Sequence, residues 1–290
     1  KMKKCIFCMK NKQDDEFNKE HIILDSLGGK GIDNFVYNVC KKCNSMLGSK
    51  VDSWFANDEV TKAYRYMLKI KGRNNIQNPF KEYHFQYDDT PITGVILTNR
   101  QGDIIGFKAD CKTYQLDDKV LIVAPRKNFC GFVNNYLKKN GFPLLTEKEI
   151  LENKLKIDNP KYPTIQTIEI DESYRDIYLK NACPLLWKMA YEFCFIRLGD
   201  QYLDDKVAKD IRGCLNEIIK GNLEIQVPTD IKVEYTNLEQ KTSISFEYDK
   251  ANDKLYVCII IFGIIKAKIL MTETFHKYVL DNEKSIEFKY

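Results

Sequence analysis

The spacing of apolar and polar positions changes character several times along the chain. The first fifty residues show neither a helical nor a strand period for long and are broken by glycines. Over 53–70, Phe55, Val60, Tyr64, Met67 and Leu68 recur at three- and four-residue intervals, which predicts a helix closed by Gly72. Polar residues 73–79 read as a linker. The period then shortens to two, predicting strands over 83–87, 93–98, 104–108 and 119–124, with a hairpin turn at 99–103. Helices are predicted over 127–140 and 146–153, and a strand over 163–170. Residues 173–198 are apolar on most faces and predict a long buried helix, while 204–220 predict an amphipathic one stopped by Gly221. Strands return over 232–235, 243–248, 254–262 and 264–271, with a turn at 249–253. The fold class is therefore α+β. A small module at 1–55 and a connecting helix and linker at 56–79 precede one larger α+β domain at 80–290, with antiparallel strands and two long helices.

Composition narrows the class without naming a function. Among 290 residues, 44% are hydrophobic and 30% charged, the balance of a globular protein and not of a disordered one. The longest apolar run, 255–266, is too short to cross a bilayer, and the N-terminus lacks a signal-peptide layout, so no membrane partner is expected. Met2 reads as the native start, and a cytoplasmic location is expected. In that reducing setting ten cysteines argue for metal binding and buried thiols and against disulfides. Cys5, Cys8, Cys40 and Cys43 form two C-x-x-C knuckles; Cys111, Cys130, Cys183, Cys194, Cys214 and Cys258 are scattered and expected in the core. The net charge of +4 is unevenly placed. Residues 1–80 hold 15 lysines and arginines against 9 acids, an excess of +6, which leaves −2 for the remainder. The basic excess lies where the motifs lie, as contact with a phosphate backbone requires.

Two knuckles supply four thiolates, the ligand set of a closed structural zinc site. The stretch between them, 9–39, is longer than a zinc ribbon needs. It contains Glu20-His21, Gly28-Gly29 and Asn34, and the second knuckle runs Cys40-Lys41-Lys42-Cys43-Asn44. In that order the first 55 residues or so resemble the HNH (ββα-metal) endonuclease family. Two departures stand out: Leu24 occupies a position where the family favours proline, and Asn34 lies one residue further from the second knuckle than usual, which leaves Asn38 as a substitute.

The resemblance implies a division of labour. Zinc on the four cysteines would fold the module, and a separate magnesium or manganese ion would serve the chemistry. Glu20 and Asn44 would hold that ion through hard oxygen donors. His21 would be the general base, an imidazole largely unprotonated near pH 7. Asn34 would orient His21 through a hydrogen bond, with the chain twisted so that Glu20 and His21 face different partners. Gly28 and Gly29 allow a tight turn. Lys41, Lys42 and Lys50 are candidate phosphate contacts. Asp25 and Asp52 are read as surface carboxylates, and His84 and His276 as structural or solvated. Double-stranded DNA is the expected partner, a dimer is conceivable for double-strand cutting, and the layout suits a restriction-like or phage-defence enzyme whose 80–290 region recognises or senses something. The competing readings are a zinc module that binds nucleic acid without cutting it, and an RNA nuclease.

Overall fold

The computed structural model describes residues 2–29, 34–71, 76, 78–79, 82–87, 90–115, 120–124, 128–152, 172–222, 226–236, 239–278 and 285–290. The predicted strand over 163–170 and most of the predicted linker fall outside them. The chain divides into two compact units, Lys1–Gln77 together with Ile170–Tyr290, and Asn78–Glu169. This differs from the sequence-based partition into 1–55, 56–79 and 80–290. The long helices and C-terminal strands belong with the N-terminal module because its apolar side chains have nowhere else to be buried.

In the first unit, β1 (Met2–Lys4) and β2 (Asn11–Gln13) form a hairpin around the first knuckle. Then β3 (Phe17–His21) pairs antiparallel with β4 (Phe35–Cys40). Between Asn18 and Glu20 the register slips, so that two steps along β3 match three along β4. The helix α1 (Lys41–Leu47) starts at the second knuckle and runs through a π-helical turn, Gly48–Asp52, into α2 (Ser53–Asn57). The single helix predicted over 53–70 is broken at Asp58. Its backbone is extended there (ψ 142°) and its side chain caps Val60 and Thr61, starting α3 (Glu59–Met67).

The centre of this unit is α6 (Glu172–Leu198), where every residue from Leu185 to Phe195 is buried. It packs on α7 (Lys206–Lys220), capped by the Asp205 side chain and ended by Gly221 at φ 94°. Below lies an antiparallel sheet in the order β10 (Ile231–Tyr235), β13 (Ile265–Thr272), β12 (Lys254–Ile261), β11 (Lys241–Asp249) and β14 (Ile286–Lys289). Leu255, Val257, Ile259 and Ile261 alternate inward along β12, as a half-buried strand requires. The short edge strand β14 was not predicted.

The N-terminal module shares this core. Ile6 and Phe7, inside the first knuckle, are fully buried. The Tyr191 hydroxyl of α6 donates to Ile6 O at 2.6 Å, its ring lies 5.3 Å from that of Phe7, and Asn216 of α7 donates to Phe7 O at 3.2 Å.

The second unit contains the antiparallel sheet β5 (Glu82–Tyr87), β6 (Thr90–Thr98), β7 (Ile104–Ala109) and the hairpin β8 (Thr113–Gln115), β9 (Val120–Ile122). Asn99 Oδ1 accepts from the amides of Gln101 and Asp103 at 2.9 Å, closing the predicted turn, with Gly102 at φ 80°. Two helices, α4 (Phe129–Lys139) and α5 (Glu147–Glu152), pack together. Among the described residues no helix of the chain is long and apolar enough to cross a membrane.

Candidate active site and metal centre

The two knuckles converge. Ligand atoms of Cys5, Cys8, Cys40 and Cys43 lie within 4.8 Å of one another, a group that fits a structural zinc ion. The β1–β2 turn presents the first pair, and the junction of β4 with α1 presents the second. The Cys40 amide donates to Cys5 Sγ at 3.4 Å, the type of bond that stabilises a thiolate. A hydrogen bond with Cys43 holds the Cys5 thiol well below its usual range, at about 4, and the same bond drives Cys43 far up. Such a set fits a divalent cation, whose binding would release protons. Of the scattered cysteines, Cys194 and Cys214 are buried as expected, whereas Cys111 is exposed.

A cavity of about 500 Å³ opens beside this cluster, lined by Cys8, Lys10, Lys12, Lys42, Asn216 and Lys220, among others. His21 does not line it. Lys41, Lys42 and Lys50 are all exposed, and none has an ion-pair partner among the described residues.

The candidate catalytic side chains sit on the β3–β4 pair. Glu20 and His21 are consecutive at the end of β3, next to the register slip, where the regular alternation is lost. Glu20 is 6% exposed and turned into the unit, while His21 is half-buried. The His21 ring packs edge-on against Phe35 at 4.7 Å, and Lys19 lies over that same ring at 3.3 Å from its centroid. Burial lowers the pKa of His21 below the usual imidazole value, against the opposing pull of Asp25 and Glu20. The ring is therefore neutral around pH 7 and makes no hydrogen bond among the described residues.

Asn34 does not do what was predicted of it. It is fully buried, and its amide is spent on the backbone after His21: Oδ1 accepts from Ile23 N at 2.7 Å, and Nδ2 donates to Ile23 O at 2.6 Å and Gly29 O at 2.8 Å. It fastens the loop that follows His21 and does not touch the imidazole. Gly29 is the reason the loop can close so tightly. A β-carbon there would lie 2.0 Å from Ile23 O and 2.6 Å from Asn34 Nδ2. Gly28 takes φ 84°, and a β-carbon on it would meet the Tyr290 ring at 2.6 Å. The Tyr290 hydroxyl, just after β14, donates to Leu27 O and lies 2.6 Å from Thr242 Oγ1, so the end of the chain holds the same loop. Asn38, the predicted substitute for Asn34, uses its backbone carbonyl to bind Ile6 N at 2.9 Å.

Asn44 is half-buried on α1 and donates through Nδ2 to Asn18 Oδ1 at 3.1 Å, leaving its own oxygen without a hydrogen bond among the described residues. Glu20 Oε2 likewise makes no hydrogen bond among the described residues. Two such oxygens suit a hard divalent cation. Among the described residues the four cysteines are the one group of three or more His, Cys, Asp or Glu placed to hold a metal, and Glu20 belongs to no such group.

Sequence reasoning missed what holds Glu20. Its Oε1 is 2.5 Å from Lys188 Nζ on α6, and the same ammonium lies 2.9 and 2.7 Å from the two oxygens of Asp52 at the end of the π-helical turn. Lys188 is fully buried, and the Asp52 side chain only 16% exposed, so Asp52 is no surface carboxylate. Burial works against the charge on Lys188, but Asp52, Glu192 and Glu20 together hold the ammonium above its usual range. One turn on, Glu192 is fully buried with neither oxygen hydrogen-bonded, and burial raises its pKa well above the carboxylate range. The sequence predicts a buried helix over 173–198, but the i, i+4 spacing of Lys188 and Glu192 does not say what partners either side chain meets inside it.

No curated protein and no solved structure matches the chain. The match that exists covers the module just described: residues 5–59, from the first knuckle through α2, fit the model of a family described as HNH endonuclease.

Proposed function

We propose that the unit formed by Lys1–Gln77 and Ile170–Tyr290 is a divalent-cation-dependent endonuclease that hydrolyses DNA phosphodiester bonds, with His21 as general base. One observation carries the reading. A half-exposed, neutral imidazole adjoins in sequence a carboxylate that keeps one oxygen unbonded, inside a segment that fits the HNH endonuclease family.

His21 takes a proton from the attacking water as the new O–P bond forms; the opposite P–O bond breaks, and the departing alkoxide is protonated from solvent. Phe35 limits the motion of the ring. Asn34 and Gly29 keep the loop after it closed, which fixes the backbone that carries it. Glu20 and Asn44 are the residues that would hold the cation, magnesium or manganese, whose chemistry when bound is to neutralise charge on the phosphate and leaving oxygen. Lys41, Lys42 and Lys50 would meet backbone phosphates. A restriction-like or phage-defence setting suits a nuclease segment built into a much larger α+β chain.

The test is plasmid cleavage with magnesium or manganese, with and without chelator, beside His21→Ala. Metal-dependent cutting that the variant loses is the expected result. Cutting that survives in His21→Ala removes the base assignment. DNA bound but never cut returns the protein to the binding reading, and cutting of RNA alone makes it an RNA nuclease.

A further inference from the structure

Lys188 occupies an expensive position. It lies in the middle of an eleven-residue stretch of α6 that is buried throughout, flanked by Trp187 and Met189, with no part of its side chain exposed. Buried ion pairs contribute little net stability, and apolar side chains of like volume often serve a core equally well or better. Packing alone therefore gives no reason for a lysine here. Its partners do. Both carboxylates belong to the nuclease segment, Glu20 on β3 and Asp52 on the π-helical turn, whereas Lys188 lies 168 and 136 residues further along the chain. Interruptions of this kind in a helix often serve to aim a side chain. Here the π-helical turn brings Asp52 to the ammonium that also holds Glu20.

The two oxygens of Glu20 are in different situations. Oε1 is held by the ammonium at 2.5 Å, and Oε2 carries no hydrogen bond among the described residues. A carboxylate fixed through one oxygen presents the other with a defined direction. Carboxylates that bind metal are commonly anchored in this way, and losing the anchor typically weakens metal binding 10- to 100-fold. The charges agree. Glu20 and Asp52 both bond the one ammonium and Glu192 lies near it, so the acids outnumber the cation where a divalent ion would bind.

Resting on the reading that Glu20 holds the catalytic cation, we propose that Lys188 is a positioning residue of the nuclease centre: anchoring Glu20 through Oε1 and tying it to Asp52, it presents Oε2 to the metal. The nuclease centre is then incomplete within residues 5–59 and is finished by α6.

Manganese binding to the full-length, zinc-loaded protein tests this, read from the electron paramagnetic resonance of free manganese. Zinc content and the unfolding midpoint serve as controls. Glu20→Gln should abolish the site. Lys188→Met, which keeps the bulk and loses the donors, should keep zinc and a cooperative transition while binding manganese roughly 10- to 100-fold more weakly. Lys188→Gln, which can still donate to Oε1, should recover part of that loss. If Lys188→Met does not fold, Lys188→Met with Asp52→Asn, which leaves no stranded Asp52 charge, replaces it and is compared with Asp52→Asn alone, under the same expectation. Unchanged or tighter manganese binding without Lys188, in a protein whose site Glu20→Gln does abolish, overturns the proposal. If Glu20→Gln leaves manganese binding intact, the failure lies with Glu20 as ligand, and the role given to Lys188 falls with it.

Discussion

Asn34→Ala separates two accounts of the same asparagine. If its work is to fasten the loop after His21, the substitution removes three buried hydrogen bonds, to Ile23 N, Ile23 O and Gly29 O. At about 1 kcal/mol each the loss is about 3 kcal/mol, and more if the Ile23 and Gly29 groups find no water, since a stranded buried polar group costs about 1–3 kcal/mol. In a unit of roughly 200 residues, 1 kcal/mol moves the midpoint by about 2–4 °C, so Tm should fall by about 6–12 °C. Relief is small because the space is fixed: Gly29 already approaches Ile23 O too closely for any β-carbon. The measurement is thermal unfolding by near-ultraviolet circular dichroism on zinc-loaded protein, with hydrogen exchange at Ile23 N–H as a local probe. Activity should fall together with stability and recover in part at lower temperature, as the loop reorders. A variant that unfolds within about 2 °C of the parent yet has lost cleavage would refute the reasoning, because Asn34 would then be acting on the chemistry and not on the loop.

Three further outcomes follow from the site. Burial lowers the pKa of His21, so the rise in kcat/KM that an unshifted imidazole would give between about pH 6 and 8 should begin below about pH 6.5 and be flat above neutrality; a profile still climbing at pH 8 contradicts the assignment. The same shift has a sign for stability: His21's contribution is complete above its unfolded pKa of about 6.5 and is lost as pH falls through the lowered native value, a loss that His21→Ala should not show in a pH series of unfolding midpoints. Removing zinc with a strong chelator should loosen α6 and α7 as well as the knuckles, because Ile6 and Phe7 are bound to Tyr191 and Asn216; unchanged amide protection along α6 would show that the module melts alone.

Much of the site was legible because its chemistry is local. Each C-x-x-C pair is a short-range pattern, and the turn at Gly28-Gly29 is demanded by a backbone conformation and a close approach that side chains would block. The strands and helices with a clear period also stood out, including the buried character of α6. What escaped was set by partners far off in sequence. Asn34 could not be assigned from its position, since an amide buried among carbonyls and one bonded to an imidazole look the same in a motif. The 53–70 pattern continued in register across Asp58, yet the Asp58 side chain offered Val60 and Thr61 a better start than the continuing helix did. The division into units failed for a related reason: chain order was taken for spatial order, while residues 78–169 intervene between two parts of one core.

The failure over Lys188 carries the most weight. A lysine and a glutamate four residues apart on a helix normally mark its wet face. On α6 the same spacing marks a fully buried stretch, because Glu20 and Asp52 arrive from residues 5–59 to neutralise the ammonium. The clue available beforehand was an imbalance. The first 55 residues are few for a module with a core of its own, and the function proposed here asks that the carboxylate beside His21 be held still. A module so small has to borrow its second layer, and the borrowed layer is α6, buried without a break from Leu185 to Phe195. On this argument α6 and the nuclease segment change together: a substitution that moves α6 by one turn misplaces Glu20, although no residue between 5 and 59 has been altered.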